Sequence, residues 1–175
     1  MERMTRSEFL AWLKGKRPGK AVLGWARGTP GEPEALWNAF SDGGWMLWVA
    51  GKAGVERRLL VQAACACARG VVERVPAGED RPRRALEAAE AWTRGEVGLE
   101  AVQKASDAAC AYYTSVAAQR GAYAACAAAH GVWFVDPYTS WSDDACIAAI
   151  VRRDTAGLVR ARLPWATIEA AIRGA

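Results

Sequence analysis

Residues 42–54 read DGGWMLWVAGKAG. Trp45 and Trp48 stand three apart among Met46, Leu47 and Val49, with glycines on both sides. A membrane anchor, an aromatic ligand box and one buried helix are the readings to separate. The anchor fails on length: six or seven apolar residues precede Gly51 and Lys52, whereas a span needs about 18 without interruption. At helical spacing Trp45, Trp48 and Val49 fall at i, i+3 and i+4, on one stripe. The nine tryptophans are dispersed, at 12, 25, 37, 45, 48, 92, 133, 141 and 165. Dispersion fits large core anchors at several helix junctions better than a single ligand site. The stretch is therefore read as a core helix, with Trp48 largely buried.

Working outward, helical signals dominate. Alanine, the strongest helix former, is the commonest residue. The only β-like run is 132–135, closed by Asp136 and Pro137. Thr5 and Glu8 have capping-box spacing and open a short helix carrying Phe9, Leu10, Trp12 and Leu13, which ends within 15–19. A second short helix is expected over 20–27. The turn GTPGEP follows at 28–33. Residues 34–40 form a third helix with Leu36, Trp37 and Phe40 on one face, broken by 41–44. A long amphipathic helix spans 55–75, with its apolar stripe at Leu59, Leu60, Ala63, Cys67, Val71 and Val75. Asp80 caps the next helix, with Pro82 in its first turn, and that helix stops at Gly95 or Gly98. An alanine-rich helix covers 98–129. Residues 136–140 form a loop, Ser140 or Ser142 caps a helix through 153, and Leu163-Pro164 introduces a last helix over 165–172. The expectation is an all-α, single-domain bundle or globule of about seven to nine helices over 1–175. It comprises short N-terminal helices in 1–44, a helical core in 45–130 and C-terminal helices in 131–175.

A chain of 175 residues buries about two thirds of its unfolded surface, so it folds without a disulfide or metal. With 52% apolar and 24% charged residues, it has the balance of an ordinary globular protein. The N-terminus has no apolar run of signal-peptide length, and a cytoplasmic protein is expected. Five cysteines, Cys65, Cys67, Cys110, Cys126 and Cys146, lie in Ala/Val-rich segments. They read as buried free thiols rather than a disulfide framework. Net charge is +4 with a pI near 8.9. Basic residues occur in short clusters, at 57–58, 81–84, 152–153 and 160–162, each flanked by acidic or apolar residues.

No motif for chemistry emerges. The single histidine, His130, precedes Gly131 and reads as a helix C-terminal cap. It stands four residues after Cys126, but no second ligand pair with metal spacing accompanies them. Gly15-Lys16, Gly19-Lys20 and Gly51-Lys52 lack the spacing of a phosphate loop. Glu87 and Glu90 share a helix face and read as a solvated pair facing Arg83, Arg84 and Arg94. Tyr112, Tyr113, Arg120 and Tyr123 alternate aromatic and cationic character, and pack along a helix face rather than forming a base-stacking platform. No cofactor, no metal and no enzymatic activity are expected.

Two linked segments carry a resemblance. The first is WMLWVAGKAGVERRLLVQAACACARGVV at 45–72. The second is GEDRPRRALEAAEAWTRGE at 78–96, followed by an alanine-rich helix. The pattern over roughly 40–130 resembles a family of small Ala-rich helical immunity proteins of polymorphic toxin systems, with related proteins in bacteria and their phages. Its most specific element is Asp80-Arg81-Pro82 with Ala85-Leu86-Glu87, Trp92 and Arg94-Gly95-Glu96. The chain departs from the family in lacking the usual histidines of the Ala-rich helix, and in its Trp-containing tail from 133 to 175. The resemblance implies a non-enzymatic inhibitor that binds a protein partner, a toxin or a defence-system component. A phage-encoded anti-defence inhibitor, such as an anti-CRISPR-type protein, is a variant of that reading. A nucleic-acid-associated helical protein is the competing class, carried only by the pI and the scattered arginines. The residues expected to meet a partner are Arg81, Arg83, Arg84, Asp143 and Asp144. No membrane partner is expected.

Overall fold

Thr5, the first capping residue in the chain, forms the interactions its spacing predicts. Its Oγ1 accepts the Glu8 amide at 3.3 Å, and the Glu8 carboxylate accepts the Thr5 amide at 2.7 Å. This reciprocal pair satisfies two amides that a helix start leaves without partners. Arg6, one residue on, sends its guanidinium to the carbonyls of Gly31 at 2.7 Å, Ala26 at 3.0 Å and Arg27 at 3.2 Å. A cation is favourable where a helix ends in open carbonyls. The same residue thus begins one helix and closes the next.

The computed structural model describes residues 3–73, 75, 77–113 and 155–174. Among these it has nine helices and no strand: α1 (Arg6–Gly15), α2 (Lys20–Gly28), α3 (Pro33–Ala39), α4 (Gly43–Ala53), α5 (Arg57–Val72), α6 (Arg81–Arg94), α7 (Leu99–Tyr113), α8 (Thr155–Arg162) and α9 (Trp165–Gly174). The fold is all-α, as the sequence indicates.

Helix α4 holds the centre. Asp42 Oδ1 accepts the amides of Gly44 at 2.9 Å and Trp45 at 3.2 Å, which starts the helix. Gly54 ends it at a φ of +83°, in the left-handed region that glycine enters without Cβ strain. Met46, Leu47, Trp48, Val49, Ala50 and Ala53 are all buried, and Trp45 is half-buried. A helix apolar around its whole circumference belongs in a core, and each large side chain so buried contributes about 1.5–3 kcal/mol. Helix α4 packs on α5, α8 and α9. Helix α5 also packs on α6 and α8, α6 on α7, α1 on α2, and α9 on α3.

Aromatic contacts join the two ends of the described chain. Phe9 meets Trp165 edge-on at 5.5 Å between centroids. Trp37 Nε1–H donates to the Leu163 carbonyl at 2.9 Å. Trp25 stacks on Phe40 at 4.1 Å, and Arg160 donates to the Phe40 carbonyl at 2.7 Å. The Met4 amide donates to Glu169 Oε1 at 2.5 Å.

Several expectations need correction. Gly43 and Gly44 do not break α3; they form the first turn of α4. The buried face of α5 is Val61, Ala64, Cys65, Ala68 and Val72 with Ala63 and Cys67, whereas Leu59 is exposed. Asp80 precedes α6 but makes no capping hydrogen bond, because its φ of −104° and ψ of −7° are helical rather than extended. Residues 155–162, between the helix expected to end at 153 and the one expected from 165, form helix α8. The expected features at 132–135, 136–140 and 140–153, and the second half of the 98–129 helix, lie outside the described residues.

Candidate partner-binding surface

Arg81, Arg83 and Arg84 occupy the first turn of α6. Pro82, between them, is buried and fixes the entry of the chain. The preceding acidic residues turn back onto two of the three. Arg81 Nε donates to Glu79 Oε1 at 2.6 Å, a second guanidinium nitrogen reaches Oε2, and the Arg81 amide donates to Oε1 at 3.1 Å. These bonds hold the Glu79 carboxyl below the usual carboxylate range, the Arg81 side chain foremost. Arg84 pairs with Asp80 at 2.5 Å, with both side chains exposed. Arg83 is exposed on the rim of a hollow of about 240 Å³ lined also by Val72, Val75 and residues 77–80.

The pairing continues along the helix. Arg69 of α5 grips Glu90 of α6, with its Nε 3.1 Å from Oε1 and a second, closer contact to Oε2. The Glu90 hydrogen bond raises the Arg69 guanidinium further above its usual value. Arg94 donates to both oxygens of Glu96, at 2.6 and 2.7 Å, which lowers the Glu96 carboxyl. Arg58 lies 5.6 Å from the Trp92 ring centroid, a cation–π contact between α5 and α6. The expected face of Glu87 and Glu90 against Arg83, Arg84 and Arg94 is thus replaced: Glu90 turns to α5. Asp143 and Asp144, with Arg120, Tyr123, Cys126, His130 and Cys146, lie outside the described residues.

No family model, curated protein or solved structure matches this chain.

Cys65 and Cys67 are free thiols on α5, both buried. Burial pushes each up to about 12, with the Glu90 charge adding to the effect at Cys65. A thiol that stays protonated is neither a nucleophile nor a metal ligand, so these two act as small core side chains. Among the described residues no three His, Cys, Asp or Glu side chains group as metal ligands, and no helix is long and apolar enough to cross a membrane.

A second hollow, of about 270 Å³, lies between residues 3–4, the start of α3 and α9. Glu32, Glu34 and Glu169 line it beside Arg3 and Trp165. Its walls come from segments more than a hundred residues apart, so no local motif could have marked it.

Proposed function

We propose that this chain is a non-enzymatic, protein-binding inhibitor of the immunity type, which neutralises a toxin or another effector by direct contact. The observation that carries this reading is the charge mosaic on α5 and α6. Arg69, Arg81, Arg84 and Arg94 each hold a carboxylate. That pairing cancels much of the positive potential on which phosphate recognition depends. What remains is a mixture of paired donors and acceptors spread over α5, α6 and the turns flanking α6, with Arg83 exposed beside the hollow. Mixed-sign patches give orientation and register against a complementary protein surface. The resemblance of 45–72 and 78–96 to immunity proteins points the same way. A phage-encoded inhibitor of a bacterial defence component would use the same surface chemistry, and either partner places the chain in the cytoplasm.

Growth rescue tests the proposal. The genes on either side are inspected for a toxin domain, and that domain is expressed alone, with the wild-type chain, and with an Arg83→Glu/Arg84→Glu variant whose melting curve is unchanged. The expected result is rescue by the wild type through a stable complex, and weaker rescue by the variant. The opposing result is tight duplex DNA binding that falls steeply between about 50 and 200 mM salt and is lost in the variant. That outcome would replace a protein partner with a nucleic acid.

A further inference from the structure

We draw no further inference here: the strongest candidate, the hollow at the α5–α6 turn beside Arg83, belongs to the surface already described, and nothing in the structure shows what covers it.

Discussion

Gly43 sits where the first turns of α4 and α8 meet. A Cβ at this position would stand 2.8 Å from Thr155 Oγ1, 3.1 Å from the Thr155 carbonyl carbon and 3.2 Å from the Ala156 amide nitrogen. Two of those neighbours are backbone and cannot swing aside. Gly43→Ala is therefore expected to destabilise the fold by about 1–3 kcal/mol, the cost of overpacking. Gly70 supplies the contrast. It lies inside α5, exposed, and a methyl there would meet nothing within 4 Å. Gly70→Ala is expected to stabilise by about 0.5–1 kcal/mol, through lost freedom of the unfolded chain. Urea titrations of both variants check the pair, and equal midpoints would refute the packing argument. The thiols of Cys65 and Cys67 carry a further residue-scale prediction. Below pH 9, near their ordinary value, both states keep the protons, and the contribution to stability is flat. As pH rises from about 9 towards 12 the unfolded chain ionises while the folded chain stays protonated. The native state then binds more protons, and stability falls with pH. The alkaline slope of the urea midpoint should be shallower in a Cys65→Ala/Cys67→Ala variant; an unchanged slope would mean that the thiols ionise in place.

At the scale of elements, the two aspartates before α4 and α6 look alike in sequence and behave differently. Asp42 is extended at a ψ of 105° and accepts two amides. Asp80 has a helical backbone and spends its carboxylate on exposed Arg84. Asp42→Ala is expected to cost about 1 kcal/mol, as lost caps do. Asp80→Ala should stay within about 0.5 kcal/mol, as exposed ion pairs do. Equal losses in thermal melts would return Asp80 to a capping role. Spacing can propose a cap, but the backbone angle that allows it depends on the turn before the helix. Helix α5 teaches a related lesson. The expected stripe is right at Ala63 and Cys67, both buried, and wrong at Leu59, which is exposed. The interior also takes Val61 and the small Ala64, Cys65 and Ala68, because α5 packs on both α6 and α8 and small side chains let both approach. Helix α4 was legible from Trp45 onward, because its run of large apolar residues belongs in a core, whereas its first turn at Gly43 and Gly44 reads as a break and is helical.

For the whole molecule, the all-α class was legible from alanine content and the scarcity of strand signals, and the paired arginines were half legible. Glu79 and Asp80 adjoin Arg81 and Arg84 in the chain, so their pairing could be foreseen. The Arg69–Glu90 bridge spans 21 residues and depends on how α5 and α6 align, which no local spacing encodes. The tie between the chain start and α9 has a consequence of its own. Met4 and Glu169 are 165 positions apart yet joined by a 2.5 Å hydrogen bond, with Phe9 against Trp165 reinforcing the contact. Residue order and spatial order are therefore separable in this fold. A Gly/Ser linker from residue 174 back to residue 3 would close the described chain, and new ends could be cut between Glu96 and Leu99, where Glu96, Gly98 and Leu99 are exposed. Such a circular permutant is expected to keep the helical circular dichroism and a single cooperative melt. A broad, non-cooperative transition would count against it, because the α6–α7 turn would then have to be continuous for the core to form. If it folds, a tag or fusion partner can leave the molecule from the α6–α7 turn, away from the contact between Met4 and Glu169.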